Sequence, residues 1–246
     1  MNKFRYLDAV RGIIEHLEKT QAEAVEKAAE IVACALAGGG AVFCASVGHG
    51  TDGDFLNRAG GLAAVQGFNF SFNVNSPVAE ALKDRPSPEP FEQDLETVRF
   101  AVRASNLRAG DVMLTGSVSG KNRGPIELAM ACRDMGVKVI AFTSMTYTKQ
   151  VESLHPSGKL LYEVADVVID HGAPYGDGAV DMPGFDFKLL PVSGVAADIA
   201  GWMIWERVIE KMTEAGDPPS VYMSVNRDGG WEYYEKSKAE YNRRGY

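Results

Sequence analysis

The sequence predicts an α/β fold: a doubly wound, mainly five-stranded parallel sheet flanked by helices. Three observations carry this. Short continuous apolar runs at 41–47, 62–70, 111–116, 137–144 and 165–170 read as strands buried on both faces. Segments of helical spacing alternate with them, and glycine-rich turns follow several of the runs. Strand, turn, helix and strand in that order imply right-handed crossovers and a parallel sheet covered on both sides.

Each element has its own signal. Leu7, Val10, Ile14, Leu17, Ala24, Ala28, Ile31 and Ala35 keep a helical period over 7–36, and Thr20 with Glu23 offers a capping box where a second helix restarts. Gly38-Gly39-Gly40 ends it. "AVFCASV" (41–47) is the first strand, "GHGTDGDFLNRAGG" a glycine turn leading into a short helix, and "LAAVQGFNF" the next strand. Residues 74–90 hold four prolines and read as irregular. Phe91, Leu95, Val98 and Val102 then mark a helix that Ser87 can cap, with Pro88 in its first turn. "DVMLTG", "RGPIELAMACRDMG", "VKVIAFTS" and "ADVVID" repeat the strand and helix rhythm, and 193–212 is a strongly apolar helix. The expected organisation is a helical segment at 1–37, an α/β domain at 38–215, and a C-terminal strand and tail at 216–246.

Composition narrows the function. The 246 residues suffice to bury a core, and the apolar runs stop well short of a membrane span. The charged N-terminus lacks the apolar stretch of a signal peptide, so a cytoplasmic protein is expected. Cys34, Cys44 and Cys132 form no C-x-x-C pair and are expected as buried free thiols. A net charge of −8 argues against nucleic acid as a partner.

In doubly wound sheets ligands sit at the carboxyl ends of strands, which directs attention to the turns after residues 47, 116, 144 and 170. Gly48-His49-Gly50-Thr51-Asp52-Gly53 matches G-x-G-x-x-G. No acidic residue ends the next strand to take a ribose hydroxyl, however, and Asp52 would sit beside the pyrophosphate. Gly116 and Gly120 are one residue too close for a P-loop, and Asn122 stands where Ser or Thr would bind magnesium. No dinucleotide, nucleoside triphosphate or other cofactor is therefore expected. "TGSVSGKN" (115–122) instead suits a single phosphate: Ser117 and Ser119 donate hydroxyl protons, Gly120 lets the backbone approach, and the next helix points its amides at the same spot. A plain turn accounts for the same residues.

The segment "DVMLTGSVSGKNRGPIELAMACRDMGVKVIAFTS" resembles the core of the SIS (sugar isomerase) domain, a Rossmann- or flavodoxin-like family that binds phosphosugars. "TQAEAVEKAAEIVA", "NRAGGL", "HPSGKLLYEVADVVID", "PYGDG" and "SVNRDGG" extend the resemblance, over nearly the whole chain, to bacterial proteins consisting of one SIS domain. It implies that Ser117, Ser119 and Asn122 contact the phosphate, with Asn122 in place of the more usual Thr. In the first turn, Gly50 stands where the family commonly has Ser. Thr51 or His49 would supply the missing donor, and Gly48, Gly50 and Thr51 count among the binding candidates. Ser144, ending a strand, and Ser193, opening the last helix, complete that set.

The implied activity is aldose–ketose isomerisation of a phosphorylated sugar or amino sugar, which needs a base within reach of two adjacent carbons. Elimination of a lactyl ether and non-catalytic sensing are the alternatives. Glu92, with Glu89 as its neighbour, occupies the chain position from which the family often supplies a glutamate, although first-turn acids also suit a helix dipole. His155, in the polar loop "SLHPSGK", is the leading histidine for acid–base work and His49 the next; ordinary hydrogen bonding explains either. His16 reads as surface, and His171 lacks metal-ligand spacing, so no metal is expected. Asp177 can line the cleft or form a turn. Trp202 and Trp205 lie in a helix apolar nearly all round, which suggests a homodimer or a dimer of dimers. Trp231, Tyr233, Tyr234 and Tyr241 would fold over the cleft or over a partner subunit.

Overall fold

A computed structural model of the chain describes residues 4–46, 52–86 and 92–246. Five parallel strands form the central sheet: β1 (Val42–Cys44), β2 (Val65–Gly67), β3 (Val112–Gly116), β4 (Lys138–Thr143) and β5 (Val167–Asp170), in the order β2-β1-β3-β4-β5. Val42 sits opposite both Val65 and Val112, and Leu114 opposite Ile140. The chain therefore steps outward from β1 to β2, crosses back, and continues β3, β4, β5 on the other side. The direction of winding reverses between β1 and β3, and side connections diverge there to leave a crevice.

The strands are mainly apolar because both faces are covered. Val112, Leu114, Ile140, Phe142, Val167 and Ile169 face one core, built with α1 (Arg5–Thr20), α2 (Ala22–Ala37) and α7 (Ser193–Glu214). Met113, Val139 and Ala141, alternating with them, face the second core with α4 (Gln93–Ala104) and α5 (Arg123–Asp134). The first core includes the fully buried Trp205, whose ring meets Phe55 edge to face at 5.9 Å. Phe55 belongs to the short helix α3 (Asp52–Phe55) and presses on α7 at Gly201, where a Cβ would lie 2.1 Å from the ring. Any side chain there forces the two helices apart.

Several expectations are corrected. In the tail, where a strand was expected, Val221 makes one antiparallel bridge to Leu62, and Gly230–Arg244 form helix α8. Glu, Lys, Ala and Arg fill that segment, and their helix propensity outweighs the β preference of its aromatics. The glycine-rich passage after β5 contains a small antiparallel pair, β6 (Gly178–Val180) with β7 (Leu189–Pro191). His16 is partly buried: its Nε2 lies 3.0 Å from the Asp170 carbonyl, over a glycine, Gly172, whose Cβ would meet the ring at 2.4 Å. Cys44 and Cys132 are buried as expected, whereas Cys34 is exposed. Ser87 and Pro88 lie outside the described residues, and α4 begins at Gln93 with Glu92 as its N-cap residue.

Candidate functional site

A cleft of about 640 Å³ opens at the crevice between the carboxyl ends of β1 and β3. Ala45 and Ser46 follow β1 into it, and Thr115–Ser119 form its floor. Asn122, Gly124 and Pro125 bring in the first turn of α5. Phe68, Asn69 and Phe70 come from the segment after β2, with Val98 from α4 behind them. Tyr147, from the short helix α6 (Met145–Thr148), and Gly176 with Asp177 close the far side.

The 117–122 loop is held from beneath. The Ser117 amide donates to the Phe142 carbonyl at 3.0 Å, the Ser144 amide to the Val118 carbonyl at 3.0 Å, and the Gly120 amide to the Ser117 carbonyl at 2.9 Å. Gly120 takes φ = +66°, and a Cβ there would come within 2.6 Å of the Thr148 hydroxyl, so both its handedness and its space demand glycine. Among the described residues the amides of Val118 and Ser119 have no protein partner. At the start of α5 the amides of Arg123 and Gly124 have no protein partner among the described residues, Pro125 carries no N–H, and this end of the helix is the positive end of its dipole. Asn122 does not cap α5 with its side chain. Its Nδ2 donates to the Ser117 hydroxyl oxygen at 3.3 Å, leaving the Ser117 proton free to point outward. Ser117 and Ser119 are nearly buried, and no lysine or arginine lines the cleft among the described residues. The site therefore offers an anion hydroxyls, an amide and backbone N–H groups.

The other candidates are placed as follows. Ser144 is fully buried, caps α6 by accepting from the Tyr147 amide at 3.1 Å, and donates to the Ala173 carbonyl; it is a strut of the floor. Ser193 is buried behind Asp177, donating to its carboxylate at 2.6 Å. Asp177 lines the cleft at φ = +65°, and its carboxylate also accepts the amides of Val192 and Ser193, so one residue both turns the chain and caps α7. Glu92 is half-exposed and pairs with Arg123, which also takes Asp94 through two hydrogen bonds. It stands beside the α5 first turn, outside the cleft lining. His155 also lies outside the lining: its side chain is 3% exposed and its Nε2 is 2.7 Å from Glu127. The structure thus does not bring Glu92 and His155 together in the cleft. Gly48, His49, Gly50, Thr51 and Glu89 lie outside the described residues.

Sequence reasoning missed Asn69, Phe68, Phe70 and Tyr147. Phe68 and Phe70 fall within the run that reads as strand, and Tyr147 carries no motif; position after a strand end is the one available signal. The tail aromatics are not at the cleft. Tyr234 stacks on Tyr222 at 4.8 Å and donates its hydroxyl to Asn57 at 2.9 Å. Among the described residues no cluster of three metal-ligating side chains occurs, and no helix is long and apolar enough to cross a membrane.

Fold and cleft together define an α/β protein of doubly wound topology with a hydroxyl- and amide-lined loop at its switch point. The SIS domain model matches residues 5–144, and the chain belongs to the SIS domain family. It is 33% identical to a UPF0309 protein of Halalkalibacterium halodurans over 96% of both chains, and 34% identical to one of Shouchella clausii, over 94% of this chain and 93% of that one. Among solved structures, the phosphoheptose isomerase GmhA of Neisseria gonorrhoeae superposes with a TM-score of 0.51 at 17% identity, covering 85% of this chain and 95% of that one.

Proposed function

We propose that the cleft binds a phosphorylated sugar or amino sugar by its phosphate and interconverts its aldose and ketose forms. The carrying observation is the Ser117–Asn122 loop. Two hydroxyls, two amides without a protein partner among the described residues and the amino end of α5 lie in one short stretch, and no lysine or arginine is among the described lining residues, a set suited to a monoester dianion. Membership of the SIS domain family supports the same reading. The base is drawn from Glu92, beside the first turn of α5, and His49, which follows β1 in the sequence.

A second reading, a sensor that binds without catalysis, is favoured by one observation. Among the described residues Asp177 is the single carboxylate of the lining, and it is already committed to α7. Self-association through α7 is also proposed, although Ile204 and Trp205 are already buried within one chain.

The test of binding is the Ser117→Ala, Ser119→Ala double variant titrated with a panel of hexose and pentose phosphates. Hydrogen bonds to a charged group contribute about 1.5–3 kcal/mol each, so affinity should fall by roughly two orders of magnitude or more. Unchanged affinity in a folded variant defeats the proposal. Exchange of the C2 proton with solvent, followed by NMR, separates isomerase from sensor, and release of lactate from a lactyl-ether sugar phosphate added to the panel would mark a lyase.

A further inference from the structure

Behind α5, away from the cleft, three side chains from three parts of the chain meet. Arg99 of α4 reaches Glu127 through both Nε and Nη2, the latter at 3.2 Å, and Glu127 receives His155 at 2.7 Å. Glu127 and His155 are 4% and 3% exposed. Burial pushes the Glu127 carboxyl up, but the hydrogen bonds from Arg99 and His155 outweigh it and hold the group below the usual carboxylate range. The Ser157 amide donates to His155 Nδ1 at 3.1 Å, so Nε2 carries the proton that goes to Glu127. Every polar atom of the imidazole is used, which fits a fixed part better than a proton carrier.

What it fixes is the irregular segment after α6. Ser153 accepts from the His155 amide at 3.0 Å and donates to the Lys159 carbonyl at 2.6 Å, closing the segment on itself around the histidine. From its two ends this segment donates to the 117–122 loop: the Leu154 amide to the Lys121 carbonyl at 3.0 Å, and the Leu161 amide to the Gly120 carbonyl at 2.8 Å. Glu127 lies one turn inside α5, whose first turn lines the cleft through Gly124 and Pro125. One buried carboxylate thus ties the helix on one side of the loop to the segment supporting the other.

We propose that Arg99, Glu127 and His155 are positioning residues: their chain of charge-assisted bonds sets the shape of the 117–122 loop and the aim of α5. This rests on the reading of that loop as the phosphate site, and hydrogen exchange tests the positioning without any ligand. In the full-length protein, His155→Ala should raise exchange at the Gly120, Leu154 and Leu161 amides at least ten-fold. The Val112 amide, at the amino end of β3 and bonded to the Ala41 carbonyl at 2.9 Å, should keep its wild-type rate. His155→Gln, whose amide can donate to Glu127 and accept from Ser157, should restore protection. Arg99→Gln, at a half-exposed position, gives a smaller rise in the same amides should the alanine variant not fold. Wild-type protection of Gly120, Leu154 and Leu161 in a folded His155→Ala or Arg99→Gln protein overturns the proposal, as does a rise spread evenly to Val112. Titration with inorganic phosphate is the separate arm: loss of binding in Ser117→Ala, Ser119→Ala, with a weaker constant in His155→Ala, supports the link to the ligand. Wild-type protein that ignores phosphate defeats the ligand reading, while exchange still decides the clamp.

Discussion

The segments after β4 and after β5 each bury one histidine, and the two are held in opposite ways. His155 meets a carboxylate backed by a guanidinium, and both ring nitrogens have partners. His171 is 1% exposed; its Nδ1 accepts the Ala173 amide at 3.3 Å, and among the described residues no carboxylate hydrogen-bonds it. Burial pushes the His171 imidazole down to about 4, and the more distant charges of Asp170 and Asp177 recover only part of that. Burial alone does not dictate what a titratable group does in this fold. The partner that the topology delivers decides it.

The largest effect comes from breaking the satisfied site. Glu127→Ala leaves His155 without its acceptor and Arg99 without its carboxylate, and removing one member of a buried pair costs about 3–5 kcal/mol. Urea denaturation should show that loss at neutral pH, and a change below about 1 kcal/mol would mean water replaces the carboxylate.

His171, buried with no carboxylate hydrogen-bonded to it among the described residues, gives a pH signature instead. The His171 proton affinity falls from 6.5 to about 4 on folding, so the stability it contributes is complete above pH 6.5 and is lost as pH falls through 4. Over that window the loss reaches about 3 kcal/mol. In His171→Gln, whose amide oxygen can still accept from Ala173, this part of the acid slope should vanish. Thermal denaturation at pH 7.5 and 4.5 for both proteins measures it, and parallel slopes would assign acid lability elsewhere.

The same contrast marks how far the sequence could be read. The five strands were legible because each is a mainly apolar run covered on both faces, and the turn through Ser117 and Gly120 was legible because small residues and a glycine follow a strand there. Glu127 was not. Within α5 it reads as an ordinary helical glutamate, and it is buried because partners 28 residues away on either side close over it. His155 drew attention as a loop histidine for the same reason it escaped a correct placement: local sequence shows the residue type but not the carboxylate it meets. Asp177 had two local explanations, turn and cleft lining, and the structure adds a third that depends on Ser193, 16 residues on.

Asp198 extends the comparison to an acid with no rescuing partner. It lies on α7, its Oδ1 is buried without a hydrogen bond among the described residues, and burial together with the nearby Asp54 charge pushes its carboxyl up to about 6. Asp54 accepts from Trp202 at 3.0 Å and pairs with Arg58, so the cation in this corner serves Asp54 and leaves Asp198 unbalanced. Here the sign is reversed from His171. The stabilising contribution of the raised carboxyl is present below about pH 4 and is lost as pH rises through 6. Asp198→Asn should accordingly raise stability by about 1 kcal/mol at pH 7.5, a value reduced because the side chain keeps some solvent contact, and should give no gain at pH 4. Asp54→Asn, which removes the repelling charge, should narrow the difference between Asp198 and its Asn variant. Equal gains at both pH values would show that shape, and not charge, sets the cost at this position.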